Sequence, residues 1–481
     1  MKPFISLILV LSLAACAPMT PQSPQIQALT AEHLDLQASP ALQWPTGHWW
    51  SRYKDPQLDH LIDQALSANP SLQQAAARVR SAQAAARGAR AVQWPQVNAA
   101  YHLTRERLSE HYIYPPPLAG SYQSDTALTL QLDFDLDLWG KHKALAMAAR
   151  QRADAAEASR QQAHTMMVSA VAQGYFQLQD ARAQAETIKS IVTKLKDALH
   201  ITQDRYKNGL GTQVDVDQAD SAVSSAQVQL SQARNNVELL HHQLAALLGL
   251  SPRQLPALSA QTYALLPQTT LDDMPLALLG RRADVVAARL QAEAAGAEIS
   301  AAKADFLPNI SLSAAAGYLS LGMDKLFLGG SKNYSAGPVI TLPVFHAGAL
   351  NAQLQGRRAA RDAAIAQYNQ TVLNAIREVA DASSSIRSLR EQIGHQAASL
   401  KAITSAYDVA LERYRGGLGN FVQVLTAQSE ALKQAVQTTD LHARAYLLDV
   451  QLATALGGGY QQPAAAPDGN TATLSQPHSR D

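Results

Sequence analysis

Residue types able to do chemistry are sparse in this chain of 481 residues, and they fall into three patterns. One is a lone cysteine, Cys16, at the end of the run Leu13-Ala14-Ala15-Cys16, where a thiol is open to covalent processing. Another is a row of carboxylates and amides: Gln131, Asp133, Asp135 and Asp137 alternate with Leu130, Leu132, Phe134, Leu136 and Leu138. At that spacing the polar groups share one face of a strand and the apolar groups share the other. The last is Asp215 with Asp217, just beyond the glycines of Gly209-Leu210-Gly211. Catalytic arrangements are missing. The 14 histidines show no metal-ligand spacing, and the pair His241-His242 sits on a polar helix face. The serine-rich stretches lack a nucleophile elbow, and no Gly-rich phosphate loop stands between a strand and a helix. The expectation is a protein that is not an enzyme and needs no metal or cofactor.

The start of the chain reads as a processing signal. Lys2 precedes an apolar run from Phe4 to Ala15, too short for the roughly 20 residues of a bilayer span. Its end resembles the bacterial lipobox, in which the cysteine is lipidated and becomes the first mature residue; the other reading is an ordinary secretory signal with an incidental cysteine. Cys16 is the chain's one cysteine and occupies the lipobox position. Residues 1–15 are therefore expected to be a lipoprotein signal peptide, with covalent lipid on Cys16. The next residue, Ala17, is not Asp, which resembles outer-membrane sorting in that class. Several acyl chains give stable anchoring where one does not.

Composition narrows the fold. Hydrophobic residues are 47% but aromatics only 6%, and long stretches of Ala, Gln, Leu, Arg and Ser favour narrow helix seams over thick cores. A net charge of +1 without a basic stripe argues against a nucleic-acid partner. No later segment offers 18 uninterrupted apolar residues, so entry into a membrane requires strands of a closed barrel.

The chain is a duplication. A shift of 208 residues lays RYKNGLGTQVDV on RYRGGLGNFVQV, pairing Arg205 with Arg413, Tyr206 with Tyr414, Gly209 with Gly417 and Gly211 with Gly419. The same shift pairs Leu244 with Leu452 and Gly249 with Gly457, and a shift of 213 places Pro95 on Pro308.

These repeats hold the elements that position the polar groups. Residues 49–249 form the first repeat, with an Ala-rich helix at 71–93, strands at 97–108 and 122–139, a long helix at 140–207 and a return helix at 213–248. Residues 281–459 form the second, with a helix at 284–306, strands at 309–320 and 333–346, a long helix at 347–415 and a return helix at 421–456. Residues 16–48 are expected to be a lipidated linker, 250–280 an inter-repeat segment and 460–481 a disordered tail. Pro338 and Pro343 weaken the last strand. No proline interrupts residues 118–251 or 344–462, and 68 helical residues would extend about 100 Å. A seven-residue period through Ile386, Ile393, Leu400, Tyr407 and Tyr414, matched by Leu178, Ala185, Val192, Leu199 and Tyr206, predicts left-handed packing of these helices. Two strands per repeat give four per chain, whereas a barrel needs about eight before it closes, so the chain must assemble with copies of itself. Its leucines would then face lipid, and Gln131, Asp133 and Asp135 an aqueous lumen.

The segments WWSRYKDPQLDHLIDQAL (49–66), NPSLQQAAARV (69–79), LDLWGK (136–141), the stretch from Arg281 to Tyr318 and YRGGLGNFVQVLTAQ (414–428) resemble the TolC/OprM outer-membrane efflux family, in its NodT-type lipoprotein branch. The likeness runs from Trp49 to Gly457. It implies a mainly α fold with a transmembrane β-barrel: a homotrimer with a twelve-stranded barrel above an α-helical periplasmic tunnel, in the cell outer membrane. It also implies two further partners, a periplasmic adaptor (membrane fusion protein) and, through it, an inner-membrane transporter of the RND or MFS type. The expected function is the exit duct of a tripartite efflux system for drugs or small toxic compounds. The segment HYIYPPPLAGS (111–121) is similar to members associated with fusaric-acid and aromatic-compound resistance.

In that family the entrance closes where helix tips converge, often with acidic residues facing the axis. Asp215 and Asp217 match that position in the first repeat, and Gln423 and Thr426 stand in the second where relatives often carry Asp. Asp215 reads equally as a solvated surface carboxylate. Tyr206 and Tyr414 read either as hydrogen-bonding links between tips or as plain seam packing, and Gly209, Gly211, Gly417 and Gly419 as shapers of the tips that an adaptor touches. Two other functions compete. A duct for type I protein secretion would share the fold. A periplasmic coiled-coil adaptor would have one hairpin flanked by β-rich carrier domains and no alternating strands, the reverse of this chain.

Overall fold

The computed structural model describes residues 26–30, 32–34, 44–261 and 278–461. Cys16, the expected signal peptide, most of the inter-repeat segment and the expected tail lie outside the described residues. In chain order the elements are α1 (Pro56–Ala68), α2 (Pro70–Ala91), β1 (Gln96–Arg107), β2 (Tyr122–Asp135), α3 (Lys141–Lys207), α4 (Gln213–Leu247), α5 (Ala283–Ala304), β3 (Asn309–Leu321), β4 (Lys332–Thr341), α6 (Ala349–Arg415) and α7 (Phe421–Ala455). They fall into two compact units. Of the described residues, one holds 68–163 and 287–376 with those before residue 36; the other holds 44–67, 164–261, 278–286 and 377–461.

The first unit is built on one antiparallel sheet in the order β1-β2-β3-β4. Asn69 starts the helix that leads into it: its side chain accepts from Ser71 N–H at 2.8 Å, and Pro70 supplies a first residue that needs no donor. The Trp94-Pro95 step then forces extended backbone into β1. At Gly317 in β3 a Cβ would lie 2.1 Å from the Leu128 carbonyl, so the strands meet too closely there for any side chain. Among the helices of this unit Glu298 is buried between Arg152 and Arg357, the latter at 3.0 Å, which pairs a charge that burial alone would penalise.

The second unit has an aromatic core. Trp49, Trp50, Tyr53, Leu58 and Ile62 pack on Tyr175, Phe176, Leu244, Tyr446 and Val450. The Phe176 ring centroid lies 5.0 Å from that of Tyr53 and 4.9 Å from that of Tyr446. The hydroxyls that such rings carry inward are satisfied: Tyr175 donates to Asp55 and Tyr53 donates to Asp449, each at 2.6 Å. Burial holds the Asp449 carboxyl above its usual range even with Arg52 beside it. Arg282, also buried, donates to Asp284, to Glu378 and to the Ala455 carbonyl. The long helices follow the expected seam, with Leu178, Ala185, Val192, Ile386, Leu389, Tyr407 and Tyr414 buried.

Four readings from the sequence need correction. The alternation through Leu138 overruns β2, which ends at Asp135, because Asp137 takes a left-handed conformation (φ 47°) and its carboxylate accepts from the N–H groups of His142 and Lys143 to cap α3. The fourth strand stops at Thr341, before Pro343, so Leu342 and Val344 lie beyond it. Helix α6 starts at Ala349 after Ala347 and Gly348, both with positive φ. Tyr206 leaves the seam that its repeat partner Tyr414 keeps: it is 46% exposed against 3%. Helix α1, which the apolar period had not singled out, begins where Asp55 caps Gln57 N–H at 2.9 Å.

The half-buried carboxylate of Asp180 lacks its own counter-charge. Asp180 Oδ1 is buried without a partner, and burial together with nearby Asp440 pushes the carboxyl from 3.8 to about 6. A folded pKa above the unfolded one means that the folded state is favoured at low pH and loses that advantage as pH rises through about 6. Asp180→Asn is therefore expected to raise the melting temperature at pH 8, by the equivalent of roughly 1–3 kcal/mol after allowing for partial solvent screening, and to leave it unchanged near pH 4. Melting curves of both proteins at the two pH values check this.

Candidate functional site

Two regions gather the residues that the sequence singled out. In the sheet, the register pairs Gln96 with Asp133, Asn98 with Gln131 and Ala100 with Thr129, and pairs Asp133 onward with Ser313 and Gln131 with Ala315. Gln131, Asp133 and Asp135 therefore share one face, where Ser313 Oγ donates to Asp133 at 3.2 Å. The opposite face carries Val97, Tyr101 and Leu103 of β1 against Leu132, Leu128 and Thr126, with Leu312, Tyr334 and Ile340 further across. Val97, Tyr101, Leu103, Leu130, Tyr334 and Ile340 are all more than half exposed within the chain. Contiguous exposed apolar surface of this kind marks a membrane or partner contact. Aromatic side chains stand at or beyond both ends of the strands, Trp94, Trp139 and Phe345 at one and Tyr112, Tyr122 and Phe327 at the other, Tyr122 being the first residue of β2. That is the girdle placement of strands that cross a bilayer. Among the described residues no helix is long and apolar enough to cross a membrane.

The second region is the pair of helix tips. Each long helix ends in the same six-residue closure: Leu210 N–H donates to the Arg205 carbonyl at 2.8 Å and Gly209 N–H to that of Tyr206, and Leu418 and Gly417 repeat the pattern on Arg413 and Tyr414. Gly209 and Gly417 hold the positive φ of 70° and 76° that this closure requires. Gly211 and Gly419 have ordinary φ but a Cβ on either would sit 3.3–3.4 Å from the backbone nitrogen of Tyr206 or Tyr414, so their role is close approach.

Beyond the glycines the repeats diverge. In the first, Thr212 Oγ1 accepts from Asp215 N–H at 3.2 Å, while the Asp215 carboxylate accepts from Thr212 N–H at 3.1 Å. Asp215 is thus half of a reciprocal helix cap. Asp217 is exposed, and accepts only from Gln213 among the described contacts, at 2.9 Å. In the second repeat Asn420 caps Gln423 N–H at 3.0 Å with no returning carboxylate. Gln423 and Thr426 instead line an open groove of about 860 Å³ with Ile403, Val422 and Glu430.

One residue that sequence reading used only as a repeat marker connects the two tips. Arg205 donates to the Leu210 carbonyl of its own tip at 2.9 Å, reaches the Arg415 carbonyl of the other hairpin at 3.3 Å, and lies over the Tyr414 ring at 4.8 Å. Its repeat counterpart Arg413 contacts Leu418 of its own tip, at 3.4 Å. Tyr414 is also packed 5.2 Å from Phe421, and burial raises its phenol pKa. Tyr206 takes no part in this cluster. The duplicated Arg-Tyr pair could signal that the position matters, but only the packing shows which copy crosses over. Among the described residues no group of His, Cys, Asp and Glu could hold a metal.

The family pattern described as "Outer membrane efflux protein" matches residues 61–250 and 275–458, once per repeat. The chain is 30% identical over 472 residues to the multidrug resistance outer membrane protein MdtQ of Escherichia coli O157:H7, covering 94% of this chain and 97% of that protein. Among solved structures it resembles the outer membrane protein VceC of Vibrio cholerae with a TM-score of 0.83 and 35% identity, over 87% of this chain and 100% of the other. It resembles the outer-membrane channel OprN with a TM-score of 0.80 and 26% identity, over 93% of this chain and 100% of the other. Two matched repeats, a sheet with one apolar and one polar face and paired long hairpins converge on one assignment: the chain belongs to the outer membrane efflux protein family.

Proposed function

We propose that the protein is the outer-membrane exit duct of a tripartite efflux system that carries drugs or small toxic compounds outward. The observation that carries this reading is the four-stranded sheet whose apolar face is exposed while Gln131, Asp133 and Asp135 line the other. In this reading β1 of one copy pairs with β4 of the next, three copies close a twelve-stranded barrel, and the polar face becomes a wet lumen. A covalent lipid on Cys16 adds a second attachment to the same membrane. The exposed Leu210 and Leu418, presented by the glycine closures, are the surface offered to a periplasmic adaptor, through which an inner-membrane transporter of the RND or MFS type is reached.

The helix tips form the entrance. The reciprocal cap supports a division of labour in which Asp215 holds the start of α4 while Asp217 supplies the negative field that three copies would concentrate near one axis. Gln423 and Leu425 stand at the positions that match Asp215 and Asp217, and Thr426 beside them is also neutral, so the ring is carried by one repeat. Arg205 links the tips and opposes their separation.

In planar bilayers the purified protein is expected to conduct, and Asp217→Asn to shift the reversal potential toward weaker cation preference without lowering thermal stability. Asp215→Ala is expected to destabilise α4 by about 1 kcal/mol through loss of its cap as well; an unchanged reversal potential in Asp217→Asn would overturn the assignment of the ring. Arg205→Met is expected to raise mean conductance, and a value equal to that of the wild type would remove Arg205 from the entrance. Deleting the gene is expected to raise sensitivity to small aromatic toxicants or drugs. Unchanged sensitivity with loss of a secreted protein would instead identify a protein-secretion duct.

A further inference from the structure

Asn369, on α6 in the first unit, is half-buried and gives both ends of its side-chain amide to the N-terminal segment. Leu29 N–H donates to its Oδ1 at 2.8 Å, and its Nδ2 donates to the Gln27 carbonyl at 2.9 Å. The two bonds flank Ala28 as the bonds of a neighbouring parallel strand would, so one side chain takes the place of a strand. The segment is thereby fixed to the helix eleven residues after Cys16.

Covalent geometry turns this contact into a ruler. Eleven residues span at most about 36–40 Å. Asn369 lies twenty residues into α6, about 30 Å along the helix from Ala349. That helix start follows the end of β4 closely, and the exposed Trp139, Val344 and Phe345 mark the rim of the apolar band there. We propose that Asn369 is a docking point for the N-terminal segment placed near the limit of the reach of a lipidated Cys16, so that the clamp and the acyl anchor together set the length of the tether. This rests on the membrane-barrel and lipidation readings above. A longer linker would leave the clamp intact; a shorter one would set the anchor and the clamp against each other.

The test uses full-length trimer in liposomes, with hydrogen exchange of the peptide covering residues 26–34 as the readout and mass spectrometry of the N-terminal peptide as the check on acylation. In the wild type the Leu29 amide is expected to exchange slowly, and Asn369→Ala to speed it about fivefold, the ratio that one net hydrogen bond corresponds to. Deleting Pro21 through Pro24 shortens the reach by about 13–14 Å and is expected to release the clamp to the same extent. Adding Cys16→Ser to that deletion is expected to restore slow exchange, because nothing then pulls on the segment. Slow exchange in an acylated deletion variant would overturn the length limit while leaving the duct reading untouched. Exchange in the wild type as fast as in Asn369→Ala would overturn the clamp itself. An N-terminal peptide without acyl groups would overturn the lipidation reading and the tether with it.

Discussion

Every backbone donor and acceptor inside a bilayer must be paired by protein, because hydrocarbon offers no partner and each unpaired group costs several kcal/mol. The sheet in the first unit meets that constraint only in part. Its inner ladders β1·β2, β2·β3 and β3·β4 are complete, while β1 and β4 are its edges. With Val97, Tyr101, Leu103, Tyr334 and Ile340 exposed on one face, the sheet is suited to lipid, and lipid forbids open edges. The proposed assembly follows from this single requirement. In the proposed assembly, closure through copies of the same chain would turn the carboxylate face into the inside of a conduit, a use for Asp133 and Asp135 that a monomeric sandwich would not provide.

Duplication supplied two tips and left them free to specialise. Both retain the glycine closure, since the left-handed residue that reverses a long helix is hard to replace. The surrounding side chains have separated in role. The first tip invests Thr212 and Asp215 in starting α4; the second starts α7 with Asn420 alone and keeps Tyr414 buried. Arg205 then joins the two by a main-chain contact and a ring contact, interactions that are each modest and can be broken and remade. In the proposed duct, a latch made of a few such contacts would suit an entrance that yields when an adaptor engages it.

Elsewhere the charges are committed to architecture. Arg282 and Glu298 are buried with partners on separate helices, so removing one partner would strand a charge in low dielectric. Asp180 is the contrast, a half-buried carboxyl near Asp440 whose raised pKa makes it a local source of instability above about pH 6.

Much of the fold was legible in the sequence, because periodicity reports which face is buried without needing to know against what. The seven-residue seams, the alternating strands and the glycine tips are local patterns, and the four strands and the long hairpins appear within a few residues of their expected places. The boundaries that differed did so for equally local reasons: Asp137 reads as one more carboxylate in an alternating row until its backbone turns and its oxygens cap α3. Side-chain partnership was not legible. Tyr206 and Tyr414 are identical in type and repeat position, yet one is exposed and the other buried, since the environments of the two tips are built from different neighbours. Likewise no pattern in the chain joins Asn369 to Gln27 and Leu29 across some 340 residues. The sequence by itself determined which segments are helix, strand and turn and which faces are apolar, because those depend on residues a few positions apart. Only the tertiary structure decided which polar groups meet, because hydrogen bonds are set by distances between segments that the order of residues does not encode.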